Sequence, residues 1–199
     1  SEIYSISKGA FYNSFFTCLS IHPKLSHLDD GWCSLIHRLK CIIVSPENKT
    51  FSVLDNKFLV GKSSDDSENY DIIYFAYRDI ENARIPKHIK RIASYAFSNC
   101  LQLKTIEFTP DSELEYIDEG AFANSSLLSI SIPKKVRKIG KKAFYNCKNI
   151  KQIIIPENCE LLSIKDETFF DTLIESLVIS KNVEYLSDEW CKNVTQIKH

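Results

Sequence analysis

A short apolar motif recurs along the chain at nearly constant spacing. It has the form apolar-x-x-apolar-x-apolar, and its six copies are Phe16/Leu19/Ile21, Leu39/Ile42/Val44, Leu103/Ile106/Phe108, Leu127/Ile130/Ile132, Ile150/Ile153/Ile155 and Ile174/Leu177/Ile179. The last two apolar positions of each copy are separated by one variable position. This spacing is typical of a short β-strand with one buried face. The chain is therefore predicted to contain a series of equivalent short strands.

Proline follows most of these predicted strands and defines the length of a repeat. The six prolines are separated by 23, 40, 24, 23 and 23 residues. Proline cannot donate a ladder hydrogen bond, so it ends a strand. The spacings indicate one solenoid over residues 1–199 with one interruption. Its predicted units are residues 3–21, 22–46, 85–108, 109–132, 133–155, 156–179 and 180–199.

A second pattern, Ile-x-x-x-Ala-Phe-x-x-Cys, precedes the strand motif in several units. It is found at Ile92/Ala96/Phe97/Cys100 and at Ile139/Ala143/Phe144/Cys147. Offsets of 4, 5 and 8 place these residues on one face of a short helical segment. One unit cannot bury its own apolar face, whereas stacked units can. The predicted fold is an α/β solenoid, a right-handed coil with parallel strands on its concave side and short helices or turns on its convex side.

Residues 47–84 interrupt the repeat and are predicted to form an inserted β-hairpin. Two strand-like runs, Phe51–Val60 and Tyr70–Tyr77, flank the polar loop Gly61–Asn69. Two such runs joined by a loop are typical of a hairpin. Because so short a segment can hardly bury a core of its own, we expect it to stay attached to the solenoid.

The segment from Leu127 to Cys147 resembles one particular family of repeats. It reads LLSISIPKKVRKIGKKAFYNC and is similar to the BspA-like, Treponema-type leucine-rich repeat. The resemblance covers residues 85–199 closely and 3–44 more loosely. The chain departs from it at Trp32-Cys33 and Trp190-Cys191, which replace Ala-Phe. The resemblance implies a cell-surface or secreted adhesin or antigen of mucosal bacteria or parasitic protozoa, with host-cell or matrix proteins as partners.

Charge and motif content argue against several other classes of protein. The 25 Lys and Arg residues nearly balance the 26 Asp and Glu residues, so neither nucleic acid nor an anionic membrane is an expected partner. No membrane span, glycine-rich phosphate loop, metal motif or catalytic motif is found, and no cofactor is expected. The chain starts close to a repeat-like segment and stops part-way through another, so we expect a fragment of a longer protein. The oligomeric state stays open.

Six of the seven cysteines fall into two groups by their position in the repeat. Four occupy inward repeat positions and are predicted to be small buried residues: Cys33, Cys100, Cys147 and Cys191. Cys18 and Cys41 instead occupy outward positions on neighbouring strands, where their Cα atoms would lie about 5 Å apart. A cross-strand disulfide, a reactive thiol pair and two unlinked thiols are the alternatives.

The outward positions of the strand column are predicted to form one continuous partner-binding surface. They are Thr17, Ser20, Lys40, Ile43, Lys104, Thr105, Glu107, Leu128, Ser129, Ser131, Lys151, Gln152, Ile154, Glu175, Ser176 and Val178. Three lysines among them form a sparse basic line. Ile154 and Val178, beside Leu128, form an exposed apolar patch that favours partner contact.

Three classes of function are compatible with these features. A surface adhesion module is favoured, and Asn48, Asn124 and Asn193 head N-x-S/T sequons that are candidate glycosylation sites. An intracellular repeat scaffold is the alternative, since many thiols without an evident disulfide pattern suit a reducing compartment. An enzyme that uses Cys18 or Cys41 is the third hypothesis.

Overall fold

The computed structural model describes residues 3–11, 14–34, 36–192 and 194, and every regular element in them is a β-strand. The strands are β1 (Ser5–Ile6), β2 (Cys18–Ile21), β3 (His27–Leu28), β4 (Cys41–Val44), β5 (Phe51–Leu54), β6 (Phe58–Gly61), β7 (Ile72–Ala76), β8 (Asn82–Ile85), β9 (Arg91–Ile92), β10 (Thr105–Phe108), β11 (Tyr116–Ile117), β12 (Ser129–Ser131), β13 (Lys138–Ile139), β14 (Gln152–Ile154), β15 (Ser163–Ile164), β16 (Ser176–Leu177) and β17 (Tyr185–Leu186). No helix with the length and apolar character needed to cross a membrane occurs in this described part of the chain.

One set of strands, which we call the first column, carries the apolar motif found in the sequence. It comprises β2, β4, β8, β10, β12, β14 and β16, which pair in parallel as β2–β4, β8–β10 and β12–β14–β16. Ile130 of β12 lies opposite Ile153 of β14, which lies opposite Leu177 of β16. All three side chains are buried, while Ser129, Ser131, Gln152 and Ile154 beside them on β12 and β14 are exposed. The predicted parallel strands of the repeat are confirmed.

The other face of the coil carries a second column of short strands that the sequence pattern did not reveal. It comprises β1, β3, β7, β9, β11, β13, β15 and β17. The last six of these strands pair in parallel, each with the next. Ile92, Ile117, Ile139 and Ile164 stack in register and are fully buried. The isoleucine that opens the Ile-x-x-x-Ala-Phe pattern is therefore a strand residue. The fold is a β-solenoid of about eight turns.

The predicted short helices are absent from the described residues, and turns replace them. Residues with positive φ stand at both ends of each Ala-Phe segment and of the equivalent Thr168-Phe169 segment, and they prevent helical winding: Tyr95/Asn99, Gly120/Asn124, Lys142/Asn146 and Glu167/Asp171. Alternate backbone amides of these turns bond along the solenoid axis, whereas those of Ala96 and Ser98 donate to the third preceding residue and not to the fourth as in a helix. Phe97 donates to the carbonyl of Ala121 at 2.7 Å, and Phe122 to that of Ala143 at 2.8 Å. The offsets read as helical belong to a turn repeated in register.

Phenylalanine rings from these turns form a ladder through the core. Phe97, Phe122, Phe144 and Phe169 are fully buried, with successive ring centroids 5.1, 5.2 and 5.6 Å apart. Trp190 packs against one end of the ladder at 6.0 Å. Each ring contacts only the turns before and after it, as expected of a solenoid.

The inserted segment is a three-stranded antiparallel arrangement, in which β6 and β7 form the predicted hairpin across the polar loop and β5 adds a further strand. The run 51–60 is itself reversed at Asp55 and Asn56, whose φ values of 53° and 50° suit a tight hairpin turn. β5 pairs with β6, β6 pairs with β7, and β7 joins the second column. Residues 82–85 belong to the first column, because β8 pairs with β10. Phe58 of the insertion extends the ring ladder at 5.8 Å from Phe97, which places it against the common core.

Arg78 ties the N-terminal units to the rest of the coil from inside the protein. Its side chain is buried, and its guanidinium lies over the Phe75 ring at 4.1 Å. It donates to the carbonyl oxygens of Cys33, Ile36, Ala76, Tyr95 and Ala96 at 2.8–3.5 Å, and to the sulfur of Cys100. These carbonyls lie on separate stretches of chain, so one cation satisfies acceptors on both sides of the insertion.

Gly140 is a position where two turns of the solenoid approach too closely for a side chain. A Cβ there would lie 2.6 Å from the carbonyl carbon of Asp118 and 2.7 Å from the backbone nitrogen of Glu119. We expect Gly140→Ala to lower the free energy of unfolding by about 1–3 kcal/mol, because the backbone must shift to relieve the overlap. Urea denaturation measures this. The neighbouring Lys141→Ala, at an exposed site, serves as the control, and equal midpoints for the two variants would contradict the prediction.

Candidate partner-binding surface

The outward positions of the first column form the surface that the sequence pattern predicted. The members whose side chains are described are all exposed: Thr17, Ser20, Lys40, Ile43, Lys104, Thr105, Glu107, Leu128, Ser129, Ser131, Lys151, Gln152, Ile154, Glu175 and Val178. Ser176 lies on β16, opposite Gln152. The strand register brings these residues together in rows, such as Ser20 beside Ile43 and Ser131 beside Ile154. The residues thus share one face, whose role in binding stays a prediction.

Strand β8 adds residues to this face that the sequence analysis assigned to the insertion. Arg84 lies opposite Glu107, and Asn82 lies opposite Thr105. The Thr105 hydroxyl donates to Asn82 Oδ1 at 2.7 Å. The spacing of Ile80, Ala83 and Ile85 matches the strand motif, but alanine at its middle position hid the match.

The predicted basic line along this face is partly neutralised. Lys151 Nζ lies 3.3 Å from a carboxylate oxygen of Glu175, and Lys40 Nζ lies 3.9 Å from one of Asp79. Exposed pairs of this kind contribute little to stability. They do lower the net positive charge that a partner would meet, so the face is not a general anion-binding surface.

The apolar patch is the feature of this face that water solvates least favourably. Leu128 is 48%, Ile154 46% and Val178 54% exposed. Ile153 of β14 lies opposite Leu177 of β16. Ile154 and Val178 are the next residues along the chain, so they occupy equivalent positions on successive turns. Aliphatic side chains half exposed on adjacent rigid strands are typical of a contact surface.

A cleft is the second candidate binding site, and it lies where the second column is divided into two separate sheets. In the described part of the chain β3 pairs with β1, whereas β7 pairs with β6 and β9. The gap between β3 and the insertion has a volume of about 1090 Å³ and is lined by polar groups that include His27, Tyr70 and Lys90. Sequence reasoning missed this cleft, because it depends on which strand pairs with β7.

Several polar and charged groups that line the cleft are paired with neighbouring groups. Arg91 forms ion pairs with Asp118 and with Asp30, the second at 3.3 Å. Burial raises the pKa of Asp118, although the Arg91 charge opposes this shift. Asp71 accepts hydrogen bonds from the backbone and the hydroxyl of Ser63 at 2.8 and 2.7 Å. These polar groups are already satisfied internally, unlike the apolar side chains of the first column.

The structure separates the cysteines into buried and exposed groups. Cys33, Cys100 and Cys147 are fully buried, as predicted, and burial raises the pKa of Cys33 and of Cys147 to about 11. Cys191 is only half-buried, so its predicted burial is incomplete. The Cys18 and Cys41 sulfurs lie 2.8 Å apart.

The three candidate glycosylation sites differ in their surroundings, and Asn48 is the least accessible of those that the structure describes. Its side chain is buried, and its Nδ2 donates to the carbonyls of His22 and Leu25 at 2.8 and 2.9 Å. A glycan would replace one of the two Nδ2 hydrogens and so remove at least one of these bonds. Asn124 is half-buried, and its Oδ1 accepts a 2.7 Å hydrogen bond from Asn146. Asn193 lies outside the described residues.

The repeated strand, turn and Phe-ladder units define a leucine-rich-repeat solenoid. Residues 71–198 match the model of the BspA type Leucine rich repeat region in six copies, and the chain belongs to that family. This match confirms the resemblance stated from residues 127–147. Repeats of this family usually mediate protein interactions. No curated protein matches the chain significantly.

Solved structures of bacterial repeat proteins share the fold. The crystal structure of the pneumococcal vaccine antigen PcpA is 21% identical, with a TM-score of 0.64 over 100% of this chain and 42% of that one. A leucine rich cell surface protein from Faecalibacterium prausnitzii is also 21% identical, with a TM-score of 0.60 over 93% of this chain and 51% of that one. A leucine-rich repeat protein from Eubacterium ventriosum is 16% identical, with a TM-score of 0.56 over 98% and 63%. This chain thus spans roughly half the length of the proteins it resembles.

Proposed function

We propose that this chain is a non-enzymatic protein-binding module that contacts its partner through the first column. The observation that carries the proposal is the apolar patch of Leu128, Ile154 and Val178, each about half exposed. Ile154 stands on β14, which pairs with β12 on one side and β16 on the other, so binding would not require this strand to reorganise. The coil is proposed to be right-handed with the first column on its concave side, where a solenoid forms a continuous contact surface.

We further propose that the module belongs to a cell-surface or secreted adhesin that attaches to host-cell or matrix proteins. Support comes from the similar proteins, which include a vaccine antigen and a cell surface protein. The balance of charge also favours a protein partner over nucleic acid. An intracellular scaffold is the second candidate, because Cys33, Cys100, Cys147 and Cys159 are buried as free thiols in the core.

A binding assay with variants of the patch tests the contact surface. We expect Leu128→Glu combined with Ile154→Glu to weaken binding to immobilised fibronectin, laminin or collagen, or to cultured epithelial cells, by about tenfold or more. Two buried interface residues typically carry at least 1–2 kcal/mol of affinity. Surface plasmon resonance and flow cytometry measure the change.

The matched control places the same charges outside the first column. Leu101 and Leu162 are 67% and 43% exposed, and Leu101→Glu with Leu162→Glu should leave binding unchanged. Equal loss in both double variants would refute the first column as the contact surface. Absence of binding by the unaltered chain to all of these probes would refute the adhesin proposal and leave the scaffold.

A further inference from the structure

Cys18 and Cys41 are directly opposed on the two N-terminal strands of the first column. β2 and β4 pair in parallel over four residue pairs, and Cys18 and Cys41 form the first of these pairs. Their sulfur atoms lie 2.8 Å apart. Reaching the bond length of a disulfide, about 2.05 Å, requires a movement of less than about 1 Å.

The backbone around the two thiols is fixed, whereas the sulfurs face solvent. The amides of Lys40 and Cys41 both donate to the Thr17 carbonyl, at 2.9 and 3.1 Å. On the core side the Ile42 amide donates to the Tyr77 hydroxyl at 3.1 Å. Cys18 is exposed and Cys41 half exposed, so a small soluble reagent can reach them. The two sulfurs are therefore held together by the strands and are open to attack from one side.

The remaining thiols lack this combination of proximity and access. Cys33, Cys100, Cys147 and Cys159 are buried, and Cys191 is half-buried. Burial raises the pKa of each of these thiols and so suppresses the reactive thiolate. The pKa of Cys41 is also raised, chiefly because it shares a hydrogen bond with Cys18. Such a pair loses its protons in two coupled steps.

We propose that Cys18 and Cys41 form a dithiol site that oxidises reversibly to an intramolecular disulfide by exchange with a small disulfide such as oxidised glutathione. In the first step one cysteine thiolate attacks a glutathione sulfur. A mixed disulfide forms, and one glutathione thiolate leaves. The second cysteine then loses its proton and attacks the protein sulfur of the mixed disulfide, which releases the second glutathione. The protein loses two protons and two electrons, and oxidised glutathione becomes two molecules of glutathione.

Thiol counting and peptide mapping of the whole chain test this site. After incubation with oxidised glutathione and quenching with a maleimide in denaturant, we expect two of the seven thiols to be lost. Mass spectrometry should find one peptide pair linked through Cys18 and Cys41, and dithiothreitol should restore all seven thiols. The control Cys191→Ser should lose the same pair.

Single variants of the pair distinguish the intramolecular bond from simple surface modification. Cys18→Ser should stop at one glutathione adduct on Cys41, and Cys41→Ser at one adduct on Cys18, with circular dichroism verifying that each is folded. The proposal is overturned if all seven thiols stay titratable. It is equally overturned if the unaltered protein stops at the adduct, or if the linked peptides contain other cysteines. No outcome depends on whether the chain binds a protein partner.

Discussion

Replacing Arg78 with methionine is expected to lower the free energy of unfolding by about 3–5 kcal/mol. Methionine fills a similar volume but removes the charge-assisted hydrogen bonds to five buried backbone carbonyls. The carbonyls of Cys33, Tyr95 and Ala96 would keep the weaker bonds that they accept from backbone amides. The acceptors are main-chain atoms, so no second substitution can remove them. Lysine should rescue little, because one ammonium cannot match the planar fork of donors. Urea denaturation followed by circular dichroism measures the change.

The control for this prediction is an arginine of similar chemistry at the surface. Arg137 is half exposed and pairs with Glu160 at 3.2 Å and with Glu115 at 3.9 Å. Arg137→Met should lower the free energy of unfolding by less than about 1 kcal/mol, since solvent screens such ion pairs. If Arg78→Met is no more damaging than Arg137→Met, the inferred joint between the N-terminal units and the rest of the coil is wrong.

The first column could be read from the sequence because its inward positions obey a simple rule. Ile106, Ile130 and Ile153 recur at a fixed spacing and are all buried, so the motif gave both the strands and their orientation. Since side chains alternate along a strand, the outward residues followed directly. The candidate surface was therefore predictable residue by residue, although its ligand was not.

The helices were wrongly predicted because the turn and the helix place apolar residues at similar offsets. A readable signal was present: Asn99, Asn124 and Asn146 recur at one repeat position, and all three have positive φ. Asparagine tolerates this conformation better than most residues, so its recurrence favours a turn. The second column was missed because strands of two residues are too short to show an alternating pattern.

Arg78 and the cleft could not be predicted, for a different reason. The partners of Arg78 lie up to 45 residues away along the chain, and no local spacing indicates that a charged residue will be buried there. The cleft exists because β7 pairs with β6 and β9 and, within the described residues, not with β3 of the preceding unit, a choice that the spacing of apolar residues does not indicate. Both features arise from tertiary pairing at the one interruption of the repeat.

Removing the ring at the centre of the phenylalanine ladder is expected to lower the free energy of unfolding by about 3–5 kcal/mol and to reduce cooperativity. Phe122 is fully buried and contacts Phe97 and Phe144, with centroids 5.1 and 5.2 Å away. In a solenoid only neighbouring turns touch, so Phe122→Ala weakens the coupling between two halves of the coil, the turns before Phe122 and the turns after it. Each half carries one tryptophan, whose fluorescence follows the unfolding of that half. Trp32 packs on Phe75, and Trp190 lies near the other end of the ladder.

Two single-tryptophan backgrounds, Trp32→Phe and Trp190→Phe, separate these reports. With Phe122 intact, the two fluorescence transitions in urea should coincide, as expected of one cooperative unit. With Phe122→Ala their midpoints should differ, because each half then unfolds on its own. The control is Tyr145→Ala, whose half-buried ring stacks on Phe170 at 5.1 Å outside the ladder. Tyr145→Ala should lower the free energy of unfolding by about 1 kcal/mol and leave the two transitions coincident. Coincident transitions in Phe122→Ala would show that the backbone ladders between turns, and not the rings, hold the coil together as one unit.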